Sequence, residues 1–351
     1  MSFYIGFFIF ILSLCLFSEI GIRRNGKRIL VIDPVYYIGI IYAFFICFLI
    51  TALRYNVGTD YIAYQNYAKE NILGVSFFEA LKDSELFFVL FSKISYCLCG
   101  NMQFFYLLVS AFTYYFLAKG ILFYDKKIFL VFLVFFISTC FFISLNVMRQ
   151  ICACAIFIFA TKYFLLILLA LCWHKCSVFF IPFYFFRRIK IKKSFFVLVL
   201  GIFLLKRVLN IFVVNFLGSL GISLNYYFLM QDGVSSRTFI VISLFILLYF
   251  YFFVNRDFSE ISNLFFNICL VEFFISVFID GIPGGYRLIY LFWPFYIIIC
   301  PYLMRESKNK LYGMFFIVCV LLMFGFYYYN MQIKGNANEV VPYQSILKGI
   351  F

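Results

Sequence analysis

Residues 150–173 read QICACAIFIFATKYFLLILLALCW, an apolar run long enough to cross a membrane once. A Thr-Lys step at 161–162 interrupts it near the middle. As a single crossing, the run puts Arg149 and His174 on opposite faces. As two short helices meeting near Lys162, it doubles back and brings them to the same face. Each helix of about 11 residues is then only about 16 Å long, short of a hydrocarbon core of about 30 Å.

The loops around this run decide between the two readings. Apolar segments fall at 3–22, 35–53, 86–99, 104–123, 128–145, 150–173, 177–186, 194–214, 238–254, 260–280, 286–304 and 311–329. The basic connections are RRNGKR (23–28), DKK (125–127), RRIKIKK (187–193), NRD (255–257) and RESKNK (305–310). Cytoplasmic loops retain Lys and Arg. If 86–99 and 150–173 each cross once, DKK turns outward and Arg149 inward, against that rule. If 86–99, which is short and carries Lys93, enters and leaves on one side, and 150–173 doubles back, all five basic connections face the cytoplasm. The N-terminus, 54–85, 215–237, 281–285 and the tail from 330 then face out. This second arrangement is the one adopted.

Composition sets the class. The chain of 351 residues is 66% hydrophobic and 13% charged, with 56 Phe and 28 Tyr, and its mean hydropathy is +1.04. Soluble domains are about half apolar and about a quarter charged, so these runs belong in lipid. The expected fold is all-α and polytopic, with roughly 11–13 transmembrane helices, some short or re-entrant, around an outward-facing cavity. Residues 1–351 read as one integral membrane domain. Residues 3–22 lack a positive n-region and a small-x-small cleavage site, and read as the first membrane helix rather than a signal peptide. The net charge of +14 marks cytoplasmic loops and no nucleic-acid partner. Cys97/Cys99 and Cys152/Cys154 lie in apolar runs without a second ligand cluster, so they read as small hydrophobes, and no metal site is expected.

A few polar residues resist a purely structural reading, because charge beside a membrane core is expensive and faces a cavity or a partner. On the adopted topology Arg54, Arg149, His174 and Arg287 gather at the outer ends of helices, with Asp60 and Glu85 on the same side. Arginine forks match phosphate oxygens, which suits an anionic lipid headgroup. In LRYNVGTDYIAYQNYAKEN (53–71), Asn56-Val57-Gly58 makes a turn and Thr59 or Asp60 caps the next helix. Asp60, Tyr64 and Tyr67 then share a helix face. The bland alternatives are a capped helix with interfacial aromatics, a snorkelling Arg149, a hydrogen-bonded His174 and an ordinary helix-start Arg287. Arg237 is a headgroup contact or a solvated charge, and Glu272 pairs with a neighbour or lines a cavity.

Taken in order, LRYNVGTDYIAY (53–64), SELFFVLFSKIS (84–95), NVMRQICACAIF (146–157), LALCWHKCSVFFIP (169–182), YRLIYLFWPF (286–295) and VVPYQS (340–345) resemble the EpsG family of polysaccharide polymerases, relatives of the O-antigen (Wzy-type) polymerases. The R-x-x-V-G-T-D-Y signature is the most specific piece. The resemblance implies a membrane glycosyltransferase in the bacterial inner (cytoplasmic) membrane. Such an enzyme joins undecaprenyl-diphosphate-linked oligosaccharide repeat units at the outer leaflet. It implies Arg54, Arg149 and Arg287 as diphosphate contacts, with aromatics near Tyr61 and Tyr64 holding sugar faces; Arg237 is carried as a substrate contact by its place in the outer connection alone. Asp60, Glu85 or His174 is the base for the acceptor hydroxyl. An inverting displacement follows, with arginines rather than a metal or cofactor stabilising the leaving diphosphate. Membrane lipid is the further partner, with a chain-length regulator as a candidate that the sequence does not decide. One departure concerns the opening stretch: family members carry a basic connection between the Arg-Gln helix and the His helix, where this chain has only TKYF (161–164). The competing readings are an O-antigen ligase, which carries a larger late outer loop, and a lipid-linked oligosaccharide flippase, for which no internal repeat is visible.

Overall fold

The computed structural model describes residues 1–24, 34–124, 128–161, 163–186, 201–205, 208, 212, 237–254, 259–278, 286–337 and 339–347. The expected segment 194–214 falls mostly outside them. So do Lys162, the connections 125–127, 187–193, 255–257 and 281–285, and most of 23–28 and 215–237. In chain order the α-helices are α1 (Ser2–Arg24), α2 (Pro34–Ala52), α3 (Asp60–Ala68), α4 (Phe77–Asp83), α5 (Leu86–Cys99), α6 (Gln103–Tyr124), α7 (Ile128–Ile137) and α8 (Cys140–Asn146). They continue with α9 (Met148–Ala160), α10 (Leu165–Trp173), α11 (Phe180–Phe186), α12 (Arg237–Phe253), α13 (Glu260–Phe278), α14 (Tyr286–Ile289), α15 (Tyr296–Arg305) and α16 (Lys310–Tyr328). Among the described residues there is no β-strand, only isolated bridges between Arg54 and Ser345 and between Val254 and Ser307.

Among the described residues, five stretches are long and apolar enough to cross a membrane: Ser2–Glu19, Gln103–Tyr124, Glu260–Phe278, Arg287–Arg305 and Lys310–Lys334. The pair α7–α8, bent by 60°, makes a sixth if counted as one span. The protein is thus an all-α, multi-pass membrane protein, and among the described residues there are fewer full-length spans than the apolar segments led one to expect. The difference lies in shorter apolar helices such as Tyr36–Ala52, Leu86–Cys99, Met148–Ala160 and Arg237–Phe253.

The stretch 150–173 doubles back. α9 has 13 residues and α10 has 9, so they are only about 20 and 14 Å long. They pack against each other, and α9 packs most extensively on α6. Small residues allow this close approach. A side-chain carbon on Gly120 of α6 would lie 2.5 Å from Ile158 Cγ2 and 3.3 Å from the Phe159 backbone nitrogen. Cys152, Ala153, Cys154 and Ala155 of α9 are all buried, and Cys154 faces the Tyr290 and Leu291 carbonyls instead of α6. In lipid, helix association rests on this fit rather than on removing water, so small residues at the seam favour it.

The helix ends sort into two faces. At one, Glu19 accepts from the Phe129 amide at 2.7 Å, the Tyr124 and Thr161 hydroxyls bond each other, and Arg305 reaches the Tyr124 carbonyl at 3.4 Å. The one basic connection wholly among the described residues, 305–310, begins at this face with Arg305. At the opposite face, Gln103 donates to the Ala52 carbonyl at 2.5 Å and Tyr4 to the Val340 carbonyl at 2.9 Å. α5 does not cross. Its first end meets Lys175 through Glu85, and its last turn meets the start of α6, where Ser95 Oγ accepts from the Phe105 amide at 3.1 Å.

Two tryptophans hold the irregular parts. Trp173 ends α10 among Phe87, Phe91, Phe105 and Phe112, with ring centroids 5.3 to 6.3 Å away. Trp293 donates its indole N–H to the Ser138 carbonyl at 2.8 Å. That carbonyl sits at the α7–α8 bend, where Thr139 takes a left-handed φ of 65°. A bend in lipid leaves backbone groups that only protein can satisfy, and Trp293 supplies one such bond.

Candidate functional site

The loop 54–60 is pressed between the α8–α9 break and the C-terminal segment. Gly58 has φ 95°, and a Cβ there would meet the Leu145 carbonyl oxygen at 2.7 Å. Both facts demand glycine at this place in the signature. On the other side the Gly58 amide donates to Glu339 at 3.2 Å, Tyr55 to Gln344 at 2.9 Å and Ile346 to Leu53 at 3.0 Å. This strap seals Arg54, whose side chain is completely buried.

Arg54 is an unusual cation. Its guanidinium lies 5.8 Å from the Tyr61 ring centroid and 5.2 Å from that of Tyr106, and one nitrogen donates to the Met148 sulfur. Among the described residues it has no ion-pair partner, and its Nε and Nη1 make no hydrogen bond. A cation–π contact to a desolvated guanidinium contributes about 2 kcal/mol or somewhat more, still less than the cost of leaving the charge unpaired. Burial accordingly lowers its pKa, with Tyr106, Tyr64, Tyr61 and Tyr4 opposing. It nevertheless stays protonated.

Two carboxylate–guanidinium pairs lie beside it. Arg149, the second residue of α9, bonds Glu85 at 2.6 Å and covers the Phe88 ring at 4.1 Å and the Tyr64 ring at 5.1 Å. Glu85 also accepts from the Lys175 amide at 3.2 Å. Burial works against its ionisation, but Arg149, backbone N–H groups and His174 prevail and hold it below its ordinary value. The second pair is looser. Arg287 stands 3.5 Å from Asp60, and their side chains are 54% and 15% exposed, so this is where the cluster opens to solvent. Burial holds Asp60 above the usual carboxylate range despite Arg287, Arg149 and Arg54.

His174 adopts an extended backbone after α10, and its Nδ1 accepts from the Cys176 amide at 3.2 Å. Nδ1 is therefore unprotonated and the neutral ring carries its proton on Nε2. Burial, reinforced by Arg149 and Arg287 and opposed by Glu85, pushes its pKa down to about 4. At neutral pH it offers an N–H donor.

The structure thus brings Arg54, Asp60, Glu85, Arg149, His174 and Arg287 together. Tyr61 and Tyr64 sit among them, but 3% and 8% exposed. Their rings bound the guanidiniums, with Tyr61 stacked on Tyr106 at 4.6 Å, and do not form an open platform for sugars. The exposed aromatic at the lip is Tyr55, edge-on to Tyr61 at 6.2 Å. Arg237 starts α12 in an exposed position and is not among the main charges acting on Asp60, Glu85 or His174. Glu272 lies elsewhere, fully buried, accepting from Tyr296 at 2.5 Å and Ser276 at 3.2 Å. An apolar cleft of about 590 Å³, lined by Tyr249, Phe253, Tyr312 and neighbours, lies between the last turns of α12 and the first turns of α16 and includes none of these charges.

Three contributors escaped the sequence reading. Asn146 Oδ1 accepts from Thr59 Oγ1 at 2.7 Å and from the Asp60 amide at 2.9 Å. Thr59 makes no cap of its own, so Asn146 caps α3 from another helix. Gln150, buried, donates to the Arg287 carbonyl at 2.6 Å. Tyr106 donates to the Tyr61 carbonyl at 2.8 Å. The motif NVMRQ held the only signal, polar residues flanking Arg149 in an otherwise apolar run. Three guanidiniums against two carboxylates and a neutral imidazole leave positive charge to spare, a surface that can hold an anion and next to it take up a proton.

A family model described as EpsG family matches residues 35–345. No curated protein and no solved structure matches the chain.

Proposed function

The chain belongs to the EpsG family, whose members are polysaccharide polymerase-like, and from that premise we propose that it joins oligosaccharide repeat units carried on undecaprenyl diphosphate. The reaction takes place at the face opposite the basic loops, the outer leaflet of the bacterial inner membrane. The observation that carries this reading is the buried Arg54, with two unbonded nitrogens, beside the Arg149 and Arg287 pairs. Such a set is costly without an anion and suited to a diphosphate.

In the reaction the acceptor hydroxyl attacks the anomeric carbon of the donor sugar, and the bond from that carbon to the phosphate oxygen breaks. The electron pair leaves on the diphosphate, where the guanidiniums and the His174 Nε2–H stabilise it. Asp60 takes the hydroxyl proton; its raised pKa and its partial opening to solvent fit a base. Glu85 is engaged by Arg149 and the Lys175 amide and serves to orient Arg149. With Glu85 engaged, Asp60 in its loose pair is the carboxylate left to act, which favours a single inverting displacement.

Deleting the gene and resolving the host glycan to single repeats tests this. The expected profile is a core capped by one repeat with the ladder lost, restored by the wild-type gene but not by Arg54→Ala or Arg287→Ala. An unchanged ladder overturns the reading. Long lipid-linked chains that never reach the core mean a ligase, and repeats held at the inner leaflet mean a transporter.

A further inference from the structure

Asp60 begins α3, and no side chain of its own loop caps the helix; within the loop the backbone supplies one bond, from the Tyr61 amide to the Gly58 carbonyl at 3.0 Å. The fixing atom comes from the break between α8 and α9. There Asn146 uses one carbonyl oxygen to hold the Thr59 hydroxyl at 2.7 Å and the Asp60 amide at 2.9 Å. Its side chain is mostly buried, the residue being 8% exposed. Three residues later the same turn delivers Arg149 to Glu85. We infer that Asn146 is a positioning residue for the transfer reaction: it sets the Asp60 carboxylate against Arg149 and Arg287 so that the proton is taken in line with the attack. This rests on the reading of Asp60 as the base.

The residue type is suited to the task. An amide oxygen accepts both bonds and adds no charge to a carboxylate already facing Arg54, Arg149, Arg287 and the Tyr64 hydroxyl. An aspartate in its place accepts the same two bonds but puts a second negative charge beside Asp60. An alanine accepts neither. The two substitutions therefore separate geometry from charge.

The test uses purified full-length protein and lipid-linked repeat units extracted from a host lacking this gene, with rates followed from pH 4.5 to 8.5. For Asn146→Ala the expected result is a fall in kcat of about 100-fold with KM little changed, because the diphosphate contacts survive while the base is misplaced by about 1 Å. For Asn146→Asp the expected result is near-normal kcat at high pH, with the acidic limb moved upward by about one pH unit through like-charge repulsion. Thermal unfolding of each variant separates loss of fold from loss of position. If Asn146→Ala is unstable, the limb of Asn146→Asp alone decides. Normal kcat in Asn146→Ala, or an unmoved limb in Asn146→Asp, overturns the inference while an inactive Asp60→Asn leaves the base assignment standing. Full activity in Asp60→Asn overturns both.

Discussion

The two ion pairs of the site are built from the same chemistry and differ in almost everything else. Glu85–Arg149 is short, at 2.6 Å, with side chains 9% and 20% exposed. It is backed by the Lys175 amide and roofed by Phe88 and Tyr64. Asp60–Arg287 is 3.5 Å apart, with Arg287 54% exposed and its backbone held through Gln150. A tight, shielded pair strongly resists separation, whereas a loose and solvated one contributes little to stability and exchanges partners easily. The difference assigns labour: the first pair is scaffold, and the second is free to meet substrate.

Neutralising the two acids should break this comparison most sharply. Asp60→Asn is expected to lower the polymerisation rate by about 100- to 10,000-fold, the usual range for removing a general base, with the melting temperature little changed. Glu85→Gln is expected to do the reverse in emphasis: a loss of about 2 kcal/mol of stability from leaving Arg149 uncompensated, and a rate loss carried through a misplaced Arg149. Rate and thermal unfolding measured side by side decide it. Equal rate losses, with the larger loss of stability in Asp60→Asn, would exchange the two roles.

The pH dependence sharpens the same contrast. Asp60 must be ionised to act, and its pKa is raised by burial, so activity should fall with acidification at a pH above the ordinary carboxylate range. His174 titrates near 4, so no inflection should appear at the usual imidazole value of about 6.5. The stability contributions of His174 and Glu85 run in the same direction as activity, whereas that of Asp60, whose raised pKa makes protonation favour the folded state, runs against it. A histidine whose pKa is lower in the folded state favours folding above its unfolded value. That contribution is lost as pH falls from about 6.5 toward 4. Glu85, held below its own ordinary value, adds a loss below about 4.5. A histidine-like midpoint in the rate profile, abolished by His174→Gln, would move the base from Asp60 to His174.

Much of this arrangement was legible in the sequence, and the limits have physical causes. The return at 150–173 could be read because lysine and arginine are sorted by face, a long-range constraint that short apolar helices do not obscure. The glycine of R-x-x-V-G-T-D announces a backbone that no side chain can share, and Gly58 against the Leu145 carbonyl is that backbone. Periodicity put Asp60, Tyr64 and Tyr67 on one face of α3, but did not tell that Arg149 and Phe88 would pack there. Asn146 was invisible because its partners lie more than eighty residues away, and a polar residue beside an arginine at a helix start reads as a local cap. The α7–α8 bend carries no proline or glycine. Its stabilising partner, Trp293, belongs to a distant segment, so 128–145 looked like an unbroken crossing.

The smallest effect is expected at Arg237, and it is the most discriminating test of how far the site extends. Sequence placed it with the headgroup contacts. In the structure it begins α12, which is anchored two residues later by Phe239, packed at 4.6 Å on Trp293 and 5.1 Å on Tyr327. The charges that dominate Asp60, Glu85 and His174 come from Arg54, Arg149, Arg287 and one another. Arg237→Ala should therefore leave kcat unchanged and alter KM by no more than about threefold, the range of an exposed ionic contact. A larger rise in KM at constant kcat would mean that Arg237 binds substrate beyond the reacting bond. The working surface would then run from the Asp60–Arg287 opening along the face toward α12, and the loose pair would be the middle of the site rather than its rim.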